Sequence, residues 1–146
     1  MPEGHKRSLH RLLYSSKSRF DCSESHIPAE IESIVNKAIE NNQKRGLTGV
    51  LLYINDTFIQ VFEGPLSEIE TTFEEICCDL RHGSVKLIDL APVERRIFED
   101  WSMAYVGMER TPHHLKLNRD LQEVYTIIES DPERALRQIR SLVGKS

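Results

Sequence analysis

Two stretches separated by Asn55-Asp56, "LTGVLLYI" (47–54) and "TFIQVFE" (57–63), constrain the fold more than anything else in the chain. Both are short, rich in aliphatic and aromatic residues, and free of proline, so they read as strands. Asn55-Asp56 tolerates the positive φ of a tight hairpin turn. A two-residue turn pairs Ile54 with Thr57 and sets Leu51 across from Gln60. Alternation then puts Leu51, Tyr53, Phe58, Gln60 and Phe62 on one face, and Val50, Leu52, Ile54, Ile59 and Val61 on the other. Both faces are apolar, so each needs a covering layer.

The rest of the chain supplies the layers. "SLHRLLYSS" (8–16) is a first strand. From Ile27 to Arg45, apolar residues at 27, 31, 34, 35, 38 and 39 trace one helical face, with Pro28 in the first turn and Gly46 as the stop. Ser67 with Glu70 reads as a capping box. The helix it opens carries Ile69, Phe73, Ile76, Cys77 and Leu80 on one stripe. "SVKLIDLAPV" (84–93) and "DWSMAYVGM" (100–108) are strands four and five. The order βαββαββ is that of an α+β ferredoxin-like sandwich with one strand added. Its two helices cover one face of a five-stranded mixed sheet. Leu117, Leu121, Val124 and Ile128 form a further helical stripe, and Asp131-Pro132-Glu133 starts another helix. These two C-terminal helices are expected on the opposite face.

A chain of 146 residues fits one domain. Residues 1–8 read as a flexible N-terminus, 9–108 as the sheet domain, and 109–146 as the two-helix extension. The formal charge of −4 argues against nucleic acid or an anionic membrane as the main partner. No apolar run is long enough to span a bilayer, and "MPEGHKRS" lacks the apolar stretch of a secretory signal. Cys22, Cys77 and Cys78 lack metal-ligand spacing. They read as reduced thiols, the adjacent pair as helix packing, consistent with a cytoplasmic address.

Gln60 is the anomaly: a primary amide in the middle of an apolar strand face. A buried amide left unpaired costs about 1–3 kcal/mol, so the core must supply its partner. Asn42 and Asn41 lie on the apolar side of the first helix at its last turn, and Tyr14 alternates with Leu12 along strand one. If Tyr14 shares the face of Gln60, a phenol and three carboxamides converge where the helices meet the sheet. Tyrosine O–H donates and accepts, and each amide offers two donors and a carbonyl. That set suits the edge of a heteroaromatic ring better than hydrolysis, since no nucleophile stands with a base. Each residue also has a plain structural reading: backbone satisfaction for Gln60, helix capping for the asparagines, core packing for Tyr14, Trp101 and Met103.

Together, "LLYSS" (12–16), "NNQKRGLTGVLLY" (41–53), "FIQVFEGP" (58–65), "DLRH" (79–82) and "RRIFEDWSM" (95–103) resemble the BLUF family, blue-light sensors that use FAD. The motifs occur in the family's order over about residues 9 to 108. The resemblance implies that Tyr14 is the electron donor beside the flavin and that Gln60 lies between the phenol and the ring's N5 and C4 carbonyl. It implies that Asn42, assisted by Asn41, binds the pyrimidine edge, with Leu51 also at the cofactor. Ser16 would order the glutamine network through water. Asp79, Arg81 and His82 would serve the ribityl chain and phosphates, arginine by its bidentate fork. Lys44 and Arg45 are either phosphate neighbours or solvated helix-end charges. FMN or riboflavin would share the ring contacts.

The implied photocycle is electron transfer from Tyr14 on excitation, a proton following through Gln60, then recombination that leaves the carboxamide rotated or tautomerised and the absorption red-shifted. Trp101 and Met103 would relay the change along strand five to the C-terminal helices, and from there to a downstream protein in trans or a change of homo-oligomer. The expected function is sensing, not enzymatic catalysis. Two competing readings are an acylphosphatase-like hydrolase and a light-independent interaction module. The first lacks its glycine-rich phosphate loop, since "KSRFDCSESH" (17–26) has no glycine.

Overall fold

The computed structural model describes residues 8–18, 27–54, 56–78, 82–98, 104–107 and 115–143. The elements are β1 (Leu9–Ser18), α1 (Ile27–Arg45), β2 (Thr48–Ile54), β3 (Thr57–Pro65), α2 (Leu66–Cys77), β4 (His82–Pro92), β5 (Ala104–Gly107), α3 (Leu115–Ile127) and α4 (Pro132–Val143). The fold is α+β. The sheet runs in the order β4-β1-β3-β2-β5, antiparallel throughout except for the parallel pair β2–β5.

The hairpin takes the register expected of its two-residue turn: Ile54 pairs with Thr57 and Leu51 with Gln60. Asp56 sits at φ 59°, in the left-handed region that Asp and Asn tolerate best among residues with a side chain. Strand β3 is buried from Thr57 to Gly64, on both of its faces. On the front, Leu12, Tyr14, Leu51, Phe58 and Phe62 pack with Ile31 and Ile34 of α1 and Ile69 of α2. On the back, Val50, Leu52, Ile54, Ile59 and Val61 pack with Leu121 and Val124 of α3 and Ala135, Leu136 and Ile139 of α4. The C-terminal helices are thus the second cover. Asp131 caps α4 as expected, its Oδ1 accepting from the Arg134 amide at 3.2 Å.

Three local expectations are corrected. Strand β1 runs to Ser18, since its ladders with β3 and β4 continue past Ser16. The Ser67–Glu70 capping box does not form: α2 starts two residues earlier, at Leu66, and its cap is Pro65, which has no side-chain acceptor. Cys77 and Cys78 are exposed rather than packed. Eight residues after Ile69, Cys77 is rotated about 80° around the axis, to the rim of the buried stripe. Thr72 takes an inward place instead.

Candidate functional site

Strands β1 and β3 set Tyr14 directly opposite Gln60 on the front face. The Tyr14 hydroxyl donates a hydrogen bond to Gln60 Oε1. Tyr14 is wholly buried and Gln60 nearly so, at 4% exposure. The phenol ring is fixed by Phe62 (centroids 6.3 Å apart, stacked) and Phe73 of α2 (5.4 Å, tilted). Rotation of the ring out of this bond would break both contacts, so the pair is held from behind.

In front of Gln60 lies an open cleft between the two front helices and the sheet. Gln60 and Phe62 form its floor, Ile34, Lys37, Ala38, Asn41 and Asn42 one wall, and Thr72, Glu75 and Ile76 the other. Asn42 is 1% exposed. The end of α1 explains its placement. Gly46, at φ 69°, turns the chain so that the Leu47 amide donates back to the Asn42 carbonyl at 2.9 Å, closing a Schellman motif. A backbone hydrogen bond thus closes the end of the helix. Leu51 is buried opposite Gln60, on the neighbouring strand.

The other candidates are placed as follows where the structure describes them. Ser16 is buried two residues along β1 and lines a different cleft, with Lys17, Thr57, Ser84 and Lys86. His82 begins β4, pairing with Ser18, and its side chain is outside the described residues. Asp79, Arg81, Trp101 and Met103 also lie outside them. Arg45 is bound to protein: its guanidinium reaches Glu75 at 2.8 Å, Thr72 Oγ1 at 2.8 Å and Glu68 at 3.9 Å. The hydrogen bond to Glu75 raises the Arg45 pKa, and its counterpart from Arg45 holds the Glu75 carboxyl below the ordinary carboxylate range. Lys44 pairs with Glu40 in solvent.

Thr72, Lys37 and Glu75 were not anticipated at the cleft. Thr72 carries a legible signal, a polar residue three positions after Ile69 on an inward-facing stripe. Lys37 and Glu75 carry none, because charged residues at helix edges are ordinary. Among the described residues, no group of three His, Cys, Asp or Glu could hold a metal ion.

A phenol bonded to a carboxamide, at the floor of a cleft with two more amides on its wall, is a recognisable constellation. The family model for sensors of blue light using FAD matches residues 9–104. The chain belongs to the BLUF family. The dark-state structure of BlrB, a BLUF protein, superposes with a TM-score of 0.77 at 31% identity, covering 93% of this chain and 98% of that one. The blue light- and temperature-regulated antirepressor BluF of Escherichia coli K12 is 34% identical over 89 residues, 60% of this chain and 21% of the relative. The photoactivated adenylate cyclase subunit beta of Euglena gracilis is 29% identical over 75 residues, 51% of this chain. The matched region spans 9% of that cyclase subunit's length.

BLUF domains use FAD, and the residues present fit a flavin ring. The cleft is lined by apolar and polar side chains together. Its walls are apolar at Ile34, Ala38, Phe62 and Ile76, with convergent amides able both to donate and to accept. That is the chemistry of a flat ring with alternating carbonyl and N–H edges.

Proposed function

We propose that this chain is a BLUF photosensor in which Tyr14 and Gln60 form the light-responsive pair. The observation that carries the reading is the buried Tyr14–Gln60 hydrogen bond at the floor of the cleft. Asn42 and Asn41 would hold the ring's polar edge, and Leu51 would pack behind Gln60. Bound flavin supplies absorption of blue light and an electron-accepting ring.

The protein's own contribution is a carboxamide with two satisfied poses. In the present pose the Tyr14 proton is donated to Gln60 Oε1. Rotation of the carboxamide exchanges Oε1 for Nε2, after which the phenol oxygen accepts instead of donating. A Tyr14–Gln60 bond exists in both states with donor and acceptor exchanged, which is the requirement for a bistable element. Tyr14 is the electron and proton source, and its ring is kept in register by Phe62 and Phe73.

We further read the sheet as ferredoxin-like with β5 added, residues 9–108 as the sensing unit, and 109–146 as the output extension. Trp101 and Met103 relay the change, and the output is a homo-oligomer or a partner protein in trans rather than catalysis by this chain. The address is cytoplasmic. Among the described residues no helix is long and apolar enough to cross a membrane. The acylphosphatase reading loses ground because Arg45, three residues after Asn42, is already paired with Glu75.

The test is direct. Protein purified with FAD should be yellow, shift its absorption to the red under blue light, and recover in darkness. Protein that takes up no flavin, or whose spectrum ignores light, would refute the proposal.

A further inference from the structure

A buried carboxylate three residues past Gln60 has no part in the cleft. Glu63 is wholly buried on the opposite face of β3, roughly 10 Å along the strand from Gln60. Its Oε2 accepts from Arg11 Nε at 2.8 Å and from the Ile97 amide at 2.9 Å. Its Oε1 accepts from the Ile97 amide at 2.9 Å and the Phe98 amide at 2.7 Å. Arg96 completes the arrangement: its guanidinium donates to Gly46 O at 2.7 Å, Thr48 Oγ1 at 3.0 Å and Glu63 O at 3.2 Å.

The chemistry here is specific. Residues 93–98 belong to no helix or strand, so no ladder partner satisfies the Ile97 and Phe98 amides. Phe98 itself is buried in the back core. A carboxylate can accept from both amides and from a guanidinium together, and those bonds offset its desolvation. A carboxamide in the same place has one acceptor oxygen and cannot do so.

The clasp also grips both elements that build the cleft. Glu63 extends the strand of Gln60, and Gly46 is the turn that ends α1 just after Asn42. Both hold one segment, 96–98, which precedes β5 in the chain. We infer that Glu63 and Arg96 are positioning residues that transmit a rearrangement at Gln60 to β5. This rests on the blue-light reading above, and the experiment separates the two.

Glu63→Gln and Arg96→Gln are prepared as FAD-loaded full chains. Two quantities are followed in dark and light: the absorption shift, and hydrogen exchange of the amides in 93–107. In the wild type, light should change exchange at 104–107. In Glu63→Gln the absorption shift should persist, the Ile97 and Phe98 amides should exchange about tenfold faster or more, and the light-dependent change at 104–107 should fall by at least two-thirds. Arg96→Gln should show the same uncoupling, and decides the matter if Glu63→Gln does not fold. A retained change at 104–107 despite loosened 97–98 amides overturns the clasp alone. So does a wild type whose spectrum shifts without any response at 104–107, or a variant that loses the spectral shift itself. A wild type with no spectral shift overturns the photosensor reading and the clasp with it.

Discussion

Removing the Tyr14 hydroxyl tests the central pair with little else disturbed. Tyr14→Phe keeps the ring, and with it the contacts to Phe62 and Phe73, while it removes the hydrogen bond to Gln60 Oε1. With Tyr14 fully buried and Gln60 at 4% exposure, losing that donor should cost about 1–3 kcal/mol. For a chain of this length the melting temperature should fall by roughly 3–8 °C. Gln60→Leu removes the acceptor and strands the phenol, at a similar cost. The double variant removes both polar partners together, which is close to neutral when shape is kept. Its destabilisation should therefore fall short of the sum of the singles by about 1 kcal/mol or more. Urea unfolding in the dark measures all four proteins, without FAD and at one fixed excess of FAD, because a ligand that binds only the folded state adds its own stabilisation. Both single variants should also lose the red shift under blue light. A coupling energy below about 0.3 kcal/mol, together with a normal photocycle in Tyr14→Phe, would refute the reasoning.

Other expectations follow from particular residues. Asn42→Ala should weaken FAD binding about tenfold while leaving α1 intact, since the Leu47 amide closes the helix on the Asn42 backbone carbonyl; equilibrium dialysis checks the affinity, and an unchanged value would remove Asn42 from the cofactor edge. Gly49→Ala should destabilise the protein by about 3 kcal/mol or more, because a Cβ there would lie 1.9 Å from the Val61 carbonyl oxygen, in a strand that cannot yield. Gly46→Ala meets open space and pays only for its positive φ, about 1 kcal/mol, so thermal melts should rank the two far apart. Arg45 holds the Glu75 carboxyl below its ordinary value of 4.5, so the pair's contribution is complete above that pH and is lost as pH falls through the folded value. Both groups are partly solvated, so the effect should be about 0.2–1 kcal/mol. It appears as a stability gap between wild type and Glu75→Gln that closes as the pH falls below 4.5, and a gap that widens on acidification would contradict the pairing.

Much of the fold was legible because β3 carries its instructions locally. A two-residue turn fixes register, alternation assigns faces, and a strand apolar on both sides demands two layers. The same logic exposed Gln60, since an amide on a buried face is a local contradiction that only a partner resolves. Where capping was concerned, sequence signals were less decisive. Ser67 and Glu70 have the spacing of a capping box, yet the helix begins two residues earlier because the ladder of β3 runs to Pro65 and the chain turns there. Asn42 beside a glycine stop looked like a cap, and a backbone bond from the Leu47 amide to the Asn42 carbonyl closes the helix there.

Taken by itself, the sequence determined the strand faces, the hairpin register, the need for helices on both sides, and the short set of polar residues on apolar faces. Those are consequences of periodicity and of the cost of an unpaired amide, both readable within a dozen residues. Only the tertiary structure decided that Tyr14 meets Gln60, that Arg45 pairs with Glu75, and that Glu63 grips the amides of Ile97 and Phe98. These partners lie 46, 30, 34 and 35 residues apart along the chain. A contact at such separation is set by how strands and helices pack, and no local pattern encodes it.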